Sequence, residues 1–403
     1  KLRSFRVAQD VGLETSLLVT PNHVYLDQLA PELLADTGLS RYFGQLLCPS
    51  EPAAREIILA NHRDIFEMLQ RWGVQLGAIS GCPFDYGGCD CDKCRPWIVT
   101  FGQLYAEIVE MAREYFPDIT ARLVGWWWQP EEHELFADWA DAEAPGLFRS
   151  MALHILYGAT APAQPVRLPQ DCEAHAFVHI GYPDDARAPR DVYGIWGAVA
   201  APERLEATAR DLRECGCTGF TAYCEGFYHD VNTALWGGLA SERWSSSGEV
   251  LGEYARRYFH ADENQAGEWA WWLAQWGAPR QVDIRRARKD FERLVAALPE
   301  GPSGDGDRLL PTINARLAQW ESKLRLFEVE ARLLAGEGWD EERIMLGHRF
   351  FAELEWMQRK LWGYGPIRHA LNPHFQRPTW YAEWREAAGV VEFADMAVQD
   401  DEA

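Results

Sequence analysis

Positive charge is scarce in this chain of 403 residues. Lys and Arg total 39 against 61 Asp and Glu, so the formal net charge is −22. A surface this acidic repels the phosphate backbone of nucleic acids and the headgroups of anionic lipids. We therefore expect neither nucleic acid nor a membrane among the partners of this protein.

Long apolar runs are missing as well. Hydrophobic residues make up 47% of the chain, but no stretch approaches the ~20 consecutive apolar residues of a membrane-spanning helix. No basic and then apolar signal peptide opens the sequence. The nine cysteines, an odd number with several clustered, fit a reducing compartment better than a disulfide framework. We expect a soluble, cytoplasmic protein, and leave open what precedes Lys1.

Motifs of two common enzyme classes are absent. No Gly-x-Gly-x-x-Gly turn follows a predicted strand, so dinucleotide binding has no support. The sequence has no His-Glu-x-x-His motif, which ranks a zinc hydrolase last among the functions considered.

Short apolar runs alternate with helical stretches from residue 14 to about 225, a pattern typical of a parallel α/β sheet. Eight strands are predicted, at Thr15–Thr20, Gln45–Cys48, Gln75–Ser80, Arg122–Trp127, Met151–Leu156, Ala176–Ile180, Tyr193–Trp196 and Gly219–Cys224. They indicate a (β/α)8 TIM-like barrel with its active site at the strand carboxyl ends. We assign the barrel to residues 1–244, allowing for a first element upstream of residue 1. A doubly wound open sheet is the alternative.

Long amphipathic helices replace the strands after about Ser245. They are predicted at Glu249–His260, Gln265–Trp276, Asp283–Leu298, Pro311–Ala335 and Asp340–Trp362. We expect an α-helical C-terminal domain at residues 245–403. It should contribute no catalytic acid, because its carboxylates fall mostly at exposed helical positions that alternate with Lys and Arg.

The segment VQLGAISGCPFDYGGCDCDKCRPW, from Val74 to Trp97, joins a buried-strand pattern to a loop rich in thiols. Glycines and a proline end the strand pattern, so Asp85 falls in the loop just past the carboxyl end of a strand. Cys89, Cys91 and Cys94 follow at Cys-x-Cys-x-x-Cys spacing.

Three soft sulfur ligands so close together need only one more for a tetrahedral zinc site of structural type. The fourth is either Cys82 in the same segment or Cys48 at the end of an earlier predicted strand. The alternative is a loop of reduced cysteines that binds no metal.

Nineteen tryptophans are more than a core of this size needs, and many stand beside Gly, Pro, Tyr and acidic residues. An aromatic ring can stack on the C–H face of a pyranose while nearby polar groups bind its hydroxyls. The composition therefore favours a carbohydrate ligand. For any single tryptophan the alternative is packing in the core.

Two acids stand at predicted strand ends. Glu225, in GFTAYCEGFYHDVN, follows a strand, is flanked by Gly226 and has tyrosine, histidine and amide neighbours in the sequence. Cleavage of a glycosidic bond needs one protonated acid and a second carboxylate, and we predict Glu225 and Asp85 as this pair. The alternatives are that Asp85 orients the thiol loop and that Glu225 pairs with an arginine.

Further polar and aromatic residues near predicted strand ends are candidates for binding substrate: Asn22, His23, Trp126, Trp128, His154, Tyr182, Tyr223 and Asp230. Trp126 and Trp128 should share one face of their strand, and Trp127 should take the other. One of the three tryptophans can therefore serve packing alone. Glu131 and Glu132 are more typical of the first turn of a helix than of catalysts.

The order of CPSEP, FDYGGCDCDKCRPW and YCEGFYHDVN after successive strands, with LGEYARRYFHADE beyond them, resembles bacterial glycoside-hydrolase-type barrels related to the hexosaminidase and α-glucuronidase groups. The resemblance covers residues 10 to 260. It implies a barrel followed by helices, a carbohydrate substrate, and Cys48 as a fourth ligand of the thiol loop. Hexosaminidases of this kind carry adjacent acids, whereas Asp85 stands between Phe84 and Tyr86.

The leading hypothesis is a glycoside hydrolase with paired carboxylates, an aromatic-lined cleft and a structural zinc ion. The alternative is a non-catalytic carbohydrate-binding protein on a degenerate barrel. The identity and linkage of the sugar are left open, as are the anomeric outcome and a homo-oligomer.

Overall fold

The computed structural model describes residues 2–36, 46–83, 89–126, 128–156, 158–162, 166–185, 197–224, 229–299, 313–356 and 378–390. The chain divides into two compact units. The first unit comprises Lys1–Ile155, Pro162–Val178 and Arg213–Thr221. The second unit comprises Leu156–Ala161, His179–Leu212 and Ala222–Ala403.

A six-stranded sheet carries the strands in chain order. They are β1 (Ser16–Val19), β2 (Ala78–Gly81), β3 (Thr120–Gly125), β4 (Phe148–His154), β5 (Glu173–His179) and β6 (Gly219–Tyr223). The pairs from β1 through β5 are parallel, beginning with Ser16 opposite Ala78. The predicted α/β class and six of the eight predicted strands are thereby confirmed.

Two predicted strands do not join this sheet in the described part of the chain. In the segment Gln45–Cys48, Leu46 and Leu47 form isolated antiparallel bridges to His23 and Leu34. An apolar run shows that a segment is buried but not which partner satisfies its backbone, and here the partners are loop residues. The predicted strand at Tyr193–Trp196 lies outside the described residues.

Helices follow most of the strands and make up most of the C-terminal half. They are α1 (Leu2–Asp10), α2 (Pro52–Arg71), α3 (Trp97–Tyr115), α4 (Pro130–Glu143), α5 (Pro202–Glu214), α6 (Asp230–Ala240), α7 (Ser247–Phe259), α8 (Glu263–Ala274), α9 (Ile284–Ala296), α10 (Ile313–Leu334), α11 (Glu341–Trp356) and α12 (Tyr381–Ala388). The five helices predicted after Ser245 are α7 to α11. Among the described helices, none is long and apolar enough to cross a membrane.

Local sequence signals explain several helix ends. The Ser246 side chain accepts a hydrogen bond from the backbone N–H of Glu249, and the Glu249 carboxylate accepts one from the N–H of Ser246, so the two form a capping box at the start of α7. Helix α2 begins at Pro52, whose missing N–H costs nothing in a first turn. Gly73 follows α2 with φ +69°, a left-handed conformation that glycine adopts without steric cost.

In the first unit, α2, α3 and α4 contribute to one hydrophobic core with the sheet. Phe66, Ile108 and Phe136 are fully buried in it. The hydroxyl of Tyr105 on α3 donates to the carbonyl oxygens of Ile79 in β2, at 2.8 Å, and Arg122 in β3, at 2.9 Å. This buried phenol joins the helix layer to two neighbouring strands.

In the second unit, tryptophans form the core of the helical region. Trp269, Trp272, Trp276 and Trp320 are each at most 1% exposed, and their rings meet mainly edge to face. These four residues take the packing role that the composition left as the alternative to sugar binding.

Candidate functional site

Four of the nine cysteines form one cluster in the first unit. The sulfur atoms of Cys48, Cys89, Cys91 and Cys94 all lie within 4.8 Å of one another. Three of these side chains are buried, and that of Cys91 is partly exposed. Cys82 is also buried, at 1% exposure, but it is not a member of the cluster. The fourth thiol is therefore Cys48, the residue that the resemblance implied.

The backbone places these thiols by two routes. Cys48 is held by its N–H, which donates to the carbonyl of Leu33 at 2.8 Å. The other three cysteines lie in the connection between β2 and α3, where the N–H of Cys94 donates to the carbonyl of Cys91 at 2.9 Å. The hydroxyl of Thr100 in α3 donates to the carbonyl of Cys94 at 3.0 Å, which ties the cluster to that helix.

The pKa values of three of the four thiols are shifted, and not all in the same direction. Hydrogen bonds from neighbouring groups, led by the thiol of Cys94, lower the pKa of Cys89 to about 5. Burial raises the pKa of Cys48 to about 11, and the hydrogen bond to Cys89 raises the pKa of Cys94 further still. Four sulfur donors this close together are the donor set of a soft metal site.

A polar contact links this cluster to the carboxyl end of β1. The side-chain amide of Asn22 donates to the carbonyl of Leu47 at 3.0 Å, and the N–H of Leu47 donates to the carbonyl of Asn22 at 3.1 Å. Asn22 is only 3% exposed, whereas His23 beside it is exposed. A small cavity separates Asn22 from the cluster, lined by Asn22, Pro49, Cys89, Cys94, Trp97, Thr100, Phe101 and Leu104.

The predicted tryptophans after β3 have different surroundings. The ring of Trp126 lies 4.0 Å from that of His154 and 4.8 Å from that of Phe177, centre to centre. Trp128 is 8% exposed and packs against core residues that include Phe101 and Phe136. The common face expected for the two rings is not formed, because β3 ends at Gly125 and its side-chain alternation ends there. Trp127 lies outside the described residues.

Glu132 takes the structural role that the sequence favoured for it. Helix α4 begins at Pro130, and the Glu132 carboxylate accepts hydrogen bonds from the N–H of Gln129 at 2.7 Å and the indole N–H of Trp97 at 2.6 Å. The carboxylate therefore caps the helix and anchors α3 to α4.

In the second unit, His179 lies between two predicted substrate-binding residues at the strand ends. Its ring is 5.4 Å from that of Tyr182 and 5.6 Å from that of Tyr223. The connection after β5 is held by Asn232, which is fully buried and donates to the carbonyls of Ile180 at 2.7 Å and Tyr182 at 3.2 Å. Tyr182 itself is only 1% exposed.

His179 was not singled out from the sequence, because nothing in a strand pattern distinguishes the last residue of a strand. Arg204 was not singled out either. Its guanidinium donates to the carbonyls of His179 at 2.9 Å and Tyr182 at 2.8 Å, and backbone acceptors of this kind leave no sequence signature.

Asp230, another predicted substrate-binding residue, is partly buried at the start of α6. Its carboxylate accepts hydrogen bonds from the hydroxyl of Tyr254 at 2.5 Å and from Nε of Arg316 at 2.8 Å. The Arg316 guanidinium also lies 4.1 Å from the ring centre of Tyr258. These contacts give Asp230 a structural role in joining α6, α7 and α10.

Asp184 caps the first turn of α5. Its carboxylate accepts hydrogen bonds from the backbone N–H groups of Arg204 at 2.8 Å and Glu203 at 3.3 Å. Burial raises the pKa of Asp184 to about 6, above its usual value near 4, although these hydrogen bonds oppose the shift. Its protonated form is thus favoured in the folded protein more than in the unfolded chain.

We expect Asp184 to make folding stability fall as the pH rises from 4 to 7. A raised pKa gives a contribution that is complete below the unfolded pKa and is lost as the pH passes the folded pKa. The free energy of unfolding of wild type minus that of Asp184→Asn should therefore decrease by up to about 3 kcal/mol over this range. Urea titrations of both proteins at several pH values measure it, and parallel pH profiles would contradict the assignment.

Both predicted catalytic carboxylates lie outside the described residues. Asp85 falls in the gap at 84–88, between β2 and the cysteine cluster, and Glu225 falls in the gap at 225–228, just after β6. The described residue before Glu225 is Cys224, and the end of β6 is Tyr223. Their roles remain sequence-based predictions.

No protein-family model and no curated protein matches this sequence. Among solved structures, a family 89 glycoside hydrolase from Clostridium perfringens in complex with 2-acetamido-1,2-dideoxynojirmycin superposes with a TM-score of 0.51 at 14% identity, covering 91% of this chain and 43% of that chain. CpGH89 from Clostridium perfringens in complex with its substrate GlcNAc-alpha-1,4-galactose gives a TM-score of 0.49 at 14% identity, covering 96% of this chain and 46% of that chain. The chain spans less than half the length of either structure. The first likeness shows that 91% of this chain shares the fold of part of a family 89 glycoside hydrolase.

Proposed function

We propose that this protein is a glycoside hydrolase that cleaves a glycosidic bond with paired carboxylates in an aromatic-lined cleft. The observation that carries the proposal is the shared fold with a family 89 glycoside hydrolase at a TM-score of 0.51 over 91% of the chain. The structure of that enzyme contains a 2-acetamido sugar analogue, so an N-acetylhexosaminide is the first substrate class to test. The proposal includes a (β/α)8 barrel over residues 1–244 followed by a helical domain at 245–403.

Glu225 and Asp85 are the proposed catalytic carboxylates. Glu225 is the general acid, because it stands two residues after the end of β6 in the sequence, and enzymes of this architecture place their catalytic groups after strand carboxyl ends. Asp85 is the second carboxylate and stands four residues after the end of β2. Candidate substrate contacts near strand ends are His23, Trp126, His154, Tyr182 and Tyr223.

The cysteine cluster has a structural part in this proposal. Four sulfur ligands fill all four positions of a tetrahedral zinc ion, so such a centre has no open position for substrate or water. The proposed location is cytoplasmic, because an odd number of cysteines with several clustered fits a reducing compartment better than a disulfide framework.

A panel of nitrophenyl glycosides tests the proposed activity. We expect release of nitrophenol from at least one of the α- or β-N-acetylglucosaminides, glucuronides and glucosides. NMR of the first-formed anomer then reports the stereochemistry. Retention requires the two carboxyl groups about 5 Å apart, and inversion requires about 6.5–9.5 Å. Saturable sugar binding without product release would favour the alternative, a non-catalytic carbohydrate-binding protein on the same fold.

A further inference from the structure

We infer that one tetrahedral Zn²⁺ bound by Cys48, Cys89, Cys91 and Cys94 also fixes the carboxyl end of β1, through the segment Leu46–Cys48. Asn22 is then a positioning residue of the metal centre and not a direct ligand of substrate. This role rests on the zinc ion of the proposed function. Through it, zinc binding and the carboxyl end of β1 stabilise each other.

Two sulfur–sulfur distances of the cluster match those of tetrahedral zinc, and all four sulfurs lie within 4.8 Å of one another. A Zn–S distance near 2.3 Å places the sulfurs of a tetrahedral site about 3.8 Å apart. The sulfur of Cys48 lies 3.8 Å from that of Cys91 and 3.6 Å from that of Cys94. A disulfide would require about 2.05 Å between two sulfurs. The two distances from Cys48 are therefore too long for a covalent S–S bond and agree with sulfurs that share one metal ion.

Neighbouring polar groups fit a negatively charged centre. Four thiolates around one Zn²⁺ leave a double negative charge. The backbone N–H of Asp36 points to the sulfur of Cys89 at 3.3 Å. The thiol of Cys94 donates to the hydroxyl of Ser50 at 3.0 Å, and this hydroxyl donates to the carbonyl of Lys93 at 3.2 Å. When the Cys94 sulfur is a thiolate, the Ser50 hydroxyl can turn from that carbonyl to the sulfur. Outer hydrogen bonds of this kind stabilise bound metal and orient its ligands.

The segment Leu46–Cys48 is restrained from both sides. On one side the N–H of Cys48 donates to the carbonyl of Leu33 at 2.8 Å. On the other side Asn22 makes two hydrogen bonds with Leu47, one through its side-chain amide and one through its carbonyl. At 3% exposure, Asn22 has almost no water to replace this partner.

The metal and Asn22 consequently restrain adjacent residues of one short segment. A bond from zinc to Cys48 limits the motion of Leu47, and the bonds from Asn22 to Leu47 limit the motion of Cys48. Coupling between two such sites is reciprocal, so weakening either one weakens the other by the same free energy. Zinc binding should therefore order the end of β1 and the exposed His23 that follows it.

The first measurement is the metal content of protein purified without chelator. We expect one zinc ion per chain, lost in Cys94→Ser and retained in Cys82→Ser, whose thiol is equally buried but outside the cluster. Should Cys94→Ser fail to fold, titration of the wild type with a thiol reagent gives the same answer, since zinc should be released as the four thiols react. Protein without stoichiometric zinc, or with iron in its place, would overturn the metal centre and the role of Asn22 together.

The second measurement is zinc affinity by competition with a chromogenic chelator. We expect Asn22→Ala to lower the affinity by up to about 10-fold, the low end of the cost of losing a direct partner of a metal ligand, because Asn22 bonds Leu47 beside the ligand Cys48. The matched control is Asn61→Ala, because Asn61 pairs with Gln28 through its side-chain amide and should leave the affinity unchanged. Bound zinc with unchanged affinity in Asn22→Ala would overturn the positioning role and leave the zinc site standing. The glycoside panel reports on hydrolysis independently of both results.

Discussion

Glu225→Gln is expected to lower turnover of a verified glycoside by about 10²–10⁴-fold while sugar binding survives. Glutamine keeps the shape of the side chain but cannot donate a proton to the leaving oxygen. The position two residues after the end of β6, the flanking Gly226 and the tyrosines nearby in the sequence distinguish Glu225 from the other acids of this region. Steady-state kinetics on the best substrate of the panel, together with a binding isotherm, measure the two effects separately.

The leaving group supplies the control for this mechanism. A dinitrophenyl leaving group needs little protonation, so Glu225→Gln should lose much less activity on a dinitrophenyl glycoside than on an alkyl glycoside. Glu263→Gln makes the same chemical change at an exposed position of α8 and should leave turnover unchanged. If Glu225→Gln keeps near-wild-type turnover on both substrates, Glu225 is not the acid. The search would then turn first to Asp85, because the carboxylates of Asp184 and Asp230 already hold structural hydrogen bonds.

Much of the fold was predictable because buried strands and amphipathic helices have clear periodicity. Strands β1 to β6 and helices α7 to α11 all follow from such patterns. The segment around Leu46 and Leu47 did not, because an apolar run reports burial and is silent about the pairing partner. Its antiparallel bridges to His23 and Leu34 depend on loop conformations that no local sequence signal encodes.

The contacts of the candidate site residues were not predictable from the sequence. Asn22 follows β1 and Asp230 begins α6, but the sequence does not say where their polar atoms point. Asn22 binds Leu47, and Asp230 binds Tyr254 and Arg316. The cysteine cluster was easier to predict, because Cys89, Cys91 and Cys94 lie close together in the sequence. Its fourth member, Cys48, is distant in sequence, and the spacing alone did not decide between Cys48 and Cys82 as the fourth ligand.

The sequence also does not say which tryptophans pack in the core and which are free to bind sugar. For Trp272 the structure predicts a large loss of stability on substitution. We expect Trp272→Ala to lower the free energy of unfolding by about 3–5 kcal/mol, the usual cost of removing a large buried aromatic residue. Trp272 is fully buried, lies 5.2 Å from Phe291 and 5.4 Å from Trp320 between ring centres, and donates its indole N–H to the carbonyl of Ala287 at 3.0 Å. The substitution leaves a cavity and removes the indole hydrogen bond to α9, and urea denaturation followed by helical circular dichroism measures the loss.

The neighbouring Trp271 is the matched control. It is 52% exposed on the same helix, and its visible partner is the guanidinium of Arg286, 5.3 Å from its ring centre. An exposed cation–π contact is worth about 0.5–1 kcal/mol, so Trp271→Ala should destabilise the protein by no more than that. Packing and sugar binding thus predict opposite results for Trp272. If Trp272→Ala weakened sugar affinity and left the denaturation midpoint unchanged, the helical region would carry part of the carbohydrate site, and the assignment of its tryptophans to the core would be wrong.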